Sequence, residues 1–131
     1  MKHMTDLKKL LASLEPVLHE GVYVYATLPH DSSIPPQALA MFKEREAMTV
    51  VLQKADATAL GLNFIFECAW ISLTVHSSLE AVGLTAAFAA ALTEAGISCN
   101  VIAGYYHDHI FVPFKRRQEA LEVLKRLSGA I

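Results

Sequence analysis

Apolar and polar positions along the chain change period several times, and each change marks an element. Leu7, Leu10, Leu11 and Leu14 recur at i, i+3, i+4, i+7, the stripe of an amphipathic helix over residues 5–14. Thr5 or Asp6 is placed to cap it, and Pro16 to stop it. Val22, Val24, Ala26 and Leu28 then alternate with Tyr23, Tyr25 and Thr27, which predicts a half-buried strand. PHDSSIPP over residues 29–36 is loop by composition. The pattern predicts a short helix over residues 37–46, a strand over 48–54, and a helical turn closed by Gly61. Residues 62–76 are β-prone throughout and read as two strands joined by a bend near 67–69.

The second half is clearer. Ile71, Leu73 and Val75 alternate with Trp70, Ser72, Thr74 and His76 as a strand. Leu84, Phe88, Ala91, Leu92 and Ala95 share one face of a helix, and Gly96 suits its C-terminal end. Ile97, Cys99, Val101 and Ala103 alternate as a further strand. After the turn GYYHDH, Ile110, Val112 and Phe114 alternate again, and a last helix runs over 116–127. The order β-α-β-β-α lacks only the final strand of the six-element ferredoxin-like unit. Residues 22–28, or a strand of a second subunit, are expected to supply it. The segment before residue 69 reads as a second, trimmed unit of the same kind.

Composition narrows the function. Apolar residues make up 53% and charged residues 18% of 131 residues, with net charge −2. That suits a packed core with some apolar surface left for another subunit. Only Lys115, Arg116 and Arg117 form a basic run, read as a solvated turn opening the last helix. Nucleic-acid binding needs a basic stripe, and none is present. No stretch reaches the ~20 apolar residues of a membrane span, and the start MKHMTDLKKLL does not resemble a leader. Cys68 and Cys99 are too few for a disulfide framework or a thiolate zinc site. They are expected to be buried thiols of a cytoplasmic protein.

WISLTVHSSLEAVGLTAAFAAALTEAGISCNVIAGYYHDHIFVPF carries glycine at a helix start and an L-x-x-A-G-I exit into the next strand. This segment resembles the ACT domain. It is most similar to small bacterial tandem-ACT proteins akin to the regulatory ACT pairs of aspartate kinases. The resemblance spans residues 69–128 and extends through GVYVYATLP and MTVVLQKAD over 16–68. It implies an α+β fold of two tandem ferredoxin-like βαββαβ ACT units, 1–68 and 69–131. Their sheets are antiparallel, with helices on one face. It further implies a homodimer that binds an amino acid or similar small effector, with no cofactor and no catalysis. The effector site is then lined by Ser77, Ser78, Glu80, Val82, Gly83, Leu84, Asn100, Ile102 and Gly104.

The chemistry of those positions leaves two readings open. Free N–H groups at a helix start favour a carboxylate, Gly83 permits close approach, and Glu80 suits an ammonium group. The same serines serve equally as helix caps. Asn100 either bonds a ligand or bridges a sheet edge. Tyr105-Tyr106-His107-Asp108-His109 reads first as a turn capped by Asp108. His107 and His109 would need a third ligand, with His76 as candidate, to hold zinc, and no metal is expected. Ser77 or Ser78 with His76 or His107 and Asp108 could be drawn as a triad, but no nucleophile signature supports it. Tyr23 and Tyr25 read as packing on a partner sheet. A dimer that only contacts another protein, with no effector, is the alternative.

Overall fold

The computed structural model describes residues 2–74 and 82–129. Its elements are α1 (Lys2–Ala12), β1 (Glu15–Leu18), β2 (Tyr23–Leu28), β3 (Ala40–Lys43), β4 (Met48–Gln53) and α2 (Lys54–Ala59). They continue with β5 (Phe64–Thr74), α3 (Leu84–Glu94), β6 (Asn100–Ala103), β7 (His107–Pro113), a 3-10 turn (Phe114–Arg116) and α4 (Arg117–Leu127). All seven strands join one antiparallel sheet in the order β3-β4-β2-β5-β7-β6, with β1 also on β5. The sheet is α+β in the ferredoxin-like sense. The C-terminal half runs β5-α3-β6-β7-α4, and β1 stands fourth in its sheet, beside β5.

That fourth strand corrects one expectation. Residues 22–28 do not complete the C-terminal sheet. Glu15–Leu18 do, with Glu15 opposite Thr74 and Leu18 opposite Ile71. α1 ends at Ala12, before Pro16 is reached, and Pro16 is itself a strand residue. Proline is tolerated where a strand needs few donors. The helix also starts earlier than read, at Lys2, so Thr5 and Asp6 lie within it.

Two further expectations fail on tertiary grounds. Residues 37–46 form no helix. Ala40–Lys43 are an edge strand on β4, with Met41 opposite Val50. The sequence 39–42 is compatible with either period, and the unpaired edge of β4 decides it. Within the described part of 62–76, residues 64–74 do not form two strands with a bend near 67–69. β5 is one strand of 11 residues with a bulge instead.

The bulge explains how one strand serves both halves. Phe66 adopts φ 60°. On β2, Tyr23 pairs with Cys68 but Tyr25 pairs with Ile65, so one residue of β5 is left over. Parity along β5 therefore reverses. Phe64 packs with the core of the first half, and Ala69, Ile71 and Leu73 pack with that of the second. Without the extra residue, every side chain beyond it would point to the wrong face. The bulge keeps both apolar cores on the same, helix-bearing side.

The larger core lies under α1, α3 and α4, around Ile71, Leu73, Phe88, Leu92, Ile110 and Leu124. The smaller lies under α2, around Val24, Ala26, Val50 and Leu52. The helix-free face has its own cover of rings. Tyr25 meets Phe111 edge-on at 5.8 Å and Phe66 at 6.0 Å, and Tyr23 meets Trp70 edge-on at 5.6 Å. Tyr23 and Tyr25 thus pack against rings of their own sheet. Arg116 is more than a solvated residue: its guanidinium donates to the carbonyls of Ala95 at 3.0 Å and Gly96 at 3.3 Å. It caps the C-terminal end of α3, where a cation is favoured. Arg117 lies 3.9 Å over the Phe114 ring.

Candidate functional site

Strand directions gather several candidate residues at one end of the C-terminal half. Thr74 ends β5 opposite His107, and Ala103 ends β6 opposite Asp108. The start of α3 and the 104–107 hairpin therefore share that end with the junction of α1 and β1. Ser77, Ser78 and Glu80 lie outside the described residues. Val82 is exposed and immediately precedes Gly83, which holds the cap position of α3 at φ 91°. A side chain is strained at that φ, so the position calls for glycine. Gly83 has no side chain to satisfy the first turn, and the helix ladder begins with Ala87 N–H on the Gly83 carbonyl at 2.9 Å.

Leu84 plays a different part from its neighbours. Its side chain is buried in the main core beside Phe88, so only its backbone faces the helix start. Gly83 is covered from the other side. A Cβ built on it would lie 3.5 Å from Cδ2 of Leu7 in α1. Nothing in the sequence pairs positions 7 and 83; both looked like local features, a leucine stripe and a helix start.

Asn100 and Ile102 point elsewhere. They sit on β6 opposite Phe111 and His109. Ile102 packs on the helix-free cluster with Phe111 and Trp70, and Asn100 is exposed. Within one chain they lie on the opposite face of the sheet from α3. Gly104 belongs to the hairpin. Its N–H donates to the His107 carbonyl at 2.9 Å, and a Cβ there would come within 2.8 Å of that same oxygen. The tip, Tyr105 and Tyr106, is exposed, with ring centroids 4.7 Å apart.

His107, Asp108 and His109 are not the capped turn expected of them: they open strand β7, paired with β5 and β6, and His109 joins a cluster the sequence did not reveal. Trp70 stacks on His19 at 3.5 Å, and its indole N–H donates to Nδ1 of His109 at 3.1 Å. That bond fixes His109 as neutral with its proton on Nε2. His19 Nε2 shares a hydrogen bond with Ser72 Oγ at 2.8 Å. Loss of solvent lowers the pKa of His19 and, first among its causes, that of His109; His107 adds to the latter and Asp108 opposes it. Burial raises the pKa of Asp108, with His109 pulling the other way. His107 and His109 rings are 6.2 Å apart, and among the described residues no three donors are grouped to hold a metal. Burial pushes the thiols of Cys68 and Cys99 up to about 12 and about 11, which leaves them protonated and unreactive near neutrality.

A pH effect follows. Both histidines titrate below 6.5 when folded and near 6.5 when unfolded. Their contribution is present above the unfolded value and is lost as pH falls through the folded values. Trp70 is the single tryptophan, so its fluorescence reports the cluster directly. We expect quenching on acidification from about pH 8 to about pH 4.5, with a midpoint below that of free histidine. In His109→Gln the titration should shrink but not vanish. A midpoint at or above that of free histidine would show the cluster is not desolvated.

Other concavities lie apart from these residues. One of about 240 Å³ is lined by Tyr25, Thr27, Thr49, Asn63 and Ile65 in the first half. Among the described residues no helix is long and apolar enough to cross a membrane.

Comparison with known proteins places this arrangement. Family models of the ACT domain match residues 3–69 and residues 65–126. A search of curated proteins found no match. A Vibrio cholerae protein of unknown function, described as a possible transport protein, is 45% identical, with a TM-score of 0.85; the match covers 96% of this chain and 98% of that one. The regulatory subunit of Thermus thermophilus aspartate kinase, in its ligand-free form, shares the fold at 11% identity and a TM-score of 0.57, over 88% and 98% of the two chains. Clostridium acetobutylicum aspartate kinase, described as an allosteric enzyme, does so at 7% identity and 0.61, over 87% of this chain but 34% of its own. With two ACT models between them covering nearly the whole sequence, and the paired-unit topology to match, the chain belongs to the ACT domain family.

Proposed function

We propose that this protein is a non-catalytic sensor that binds an amino acid, or an effector of similar chemistry, at its C-terminal ACT unit. The observation that carries the reading is the pair of ACT matches, with regulatory domains of aspartate kinase among the structural neighbours. Gly83 at the start of α3 supports it, because a glycine cap lets a carboxylate approach the first-turn N–H groups. Ser77, Ser78, Glu80 and Val82 would surround that carboxylate and its ammonium group, with backbone from Leu84. Asn100, Ile102 and Gly104 would face the effector from a second unit, since β6 is a sheet edge and its Asn100 is exposed. That arrangement requires a homodimer, which we place in the cytoplasm. Exposed Phe42 and Ile65, at 71% and 74%, are apolar surface that a second copy could cover. We take residues 1–68 and 69–131 as the two units, with β5 crossing their boundary.

Effector binding would act by favouring one placement of the units over another, and only by its difference in affinity for the two. One observation favours the rival reading, a protein-contacting dimer with no effector: Leu7 already lies against Gly83. A thermal-shift screen against the twenty amino acids, confirmed by calorimetry, separates them. A specific ligand at about a hundred times its dissociation constant should stabilise the fold by about 2.7 kcal/mol, a rise of several degrees. No shift with any amino acid at millimolar concentration would overturn the sensor reading.

A further inference from the structure

We propose that His109 is a proton-operated latch on the β6–β7 hairpin: its neutral ring holds residues 104–106 against the sheet, and a proton on the ring releases them. The inference does not depend on the sensor reading, because it needs no effector. The ring makes two contacts. Its Nδ1 accepts the indole N–H of Trp70 at 3.1 Å. Its other edge fills the space that Gly104 leaves: a Cβ on Gly104 would stand 3.3 Å from Nε2 and 3.5 Å from Cδ2. Neutral His109 carries its proton on Nε2, so a second proton must go on Nδ1. Two N–H donors would then face each other at 3.1 Å, and one side has to move. Trp70 is the side that stays. It lies on β5, which is paired on both flanks, and its indole is stacked on His19 at 3.5 Å and met edge-on by Tyr23 at 5.6 Å. His109 is the side that yields. Its hairpin partner β6 is the sheet edge, and Tyr105 and Tyr106 at the tip are 84% and 76% exposed. Segments with so little buried surface open at the lowest free energy. A ring that turns from the indole gives up its seat beside Gly104, and the hairpin loses that contact.

His19 has no such conflict. Its Nε2 lies 2.8 Å from Ser72 Oγ, and a hydroxyl accepts from a charged ring as it donates to a neutral one. A cation stacked on an indole is itself favoured. Among the described residues, the titratable groups around His109 are His19 beside β1 and His107 and Asp108 on β7. Ser72 and Ile102, opposite it on β5 and β6, do not titrate. Loss of solvent, first, and then His107 hold the pKa of His109 below 6.5; Asp108 opposes them and His19 adds to them. The latch therefore opens on acidification, below the usual histidine range. Nuclear magnetic resonance of the full chain, titrated from about pH 8 to about pH 4.5, tests it. We expect the single indole N–H signal to move upfield as its hydrogen bond is lost. The amides of Gly104, Tyr105 and Tyr106 should shift and lose order with the same midpoint as the His109 ring, while those of β4 hold. In His109→Gln, whose amide oxygen accepts the indole bond but does not titrate, the hairpin transition should vanish. In His19→Gln and His107→Gln it should persist. Hairpin amides that stay still while His109 titrates would overturn the latch. So would a transition that survives in folded His109→Gln or vanishes in folded His107→Gln, a His109 that does not titrate in this range, or β4 signals lost together with the hairpin's. Where a variant does not fold, the coincidence of midpoints in the wild type decides.

Discussion

Phe88→Ala should lower the stability of the whole protein by about 3–5 kcal/mol, the usual loss for a fully buried phenylalanine. Phe88 is 0% exposed and sits on the inner face of α3, between that helix and the sheet. Ile71, Leu73 and Ile110 line the sheet beneath it and Leu124 comes from α4. Strands held in register by ladders on both sides cannot collapse into the space left behind, so the cavity persists and its surface is lost to packing. For a chain of this length the melting temperature should fall by about 10–20 °C. A fall of only a few degrees, by calorimetry or circular dichroism, would show that α3 is not packed as described.

Leu52→Ala should reach about 2–5 kcal/mol, and it should act on the same transition. Leu52 is also 0% exposed, but it belongs to the smaller core under α2, in the other half of the molecule. Two separate domains would melt separately, and each substitution would move only its own transition. Here β5 pairs with β2 through its first part and with β1 and β7 through its second. Unfolding one half strips ladder hydrogen bonds from a strand the other half needs. One calorimetric peak, lowered by either substitution, is the expected result. Two peaks, with Leu52→Ala moving one of them alone, would show that the shared strand does not couple the halves.

The residues between β5 and α3 show how far sequence reaches toward the site. Gly83 was recognisable because a glycine at a helix start after a strand has a local reason to be there, and its φ of 91° is that reason. Leu84 was placed at the site by its neighbours, but its side chain is in the core. The helical period that put Leu84 in line with Phe88 already contained that answer. Asn100 and Ile102 alternate away from the core as read, and this sets them on the face opposite α3. His19 was given no role, because the partner that defines it, Trp70, is 51 positions along the chain and reaches it only through the pairing of β1 with β5.

Periodicity by itself determined the helices and the middle of each strand of the second half, the helix α1, and the strands β2 and β4. Those are decided by which side chains must leave water, and a period of 2 or 3.6 records that directly. Only the tertiary structure decided the rest. Residues 40–43 became a strand because β4 had an open edge. Residues 15–18 became the missing strand because β5 had one too. Phe66 took its left-handed conformation because a single strand had to present correct faces to two cores. Leu7 came to cover Gly83 because α1 packs across the end of α3. Each depends on a partner distant in sequence, and hydrogen-bond ladders and packing between distant segments leave no trace in local pattern.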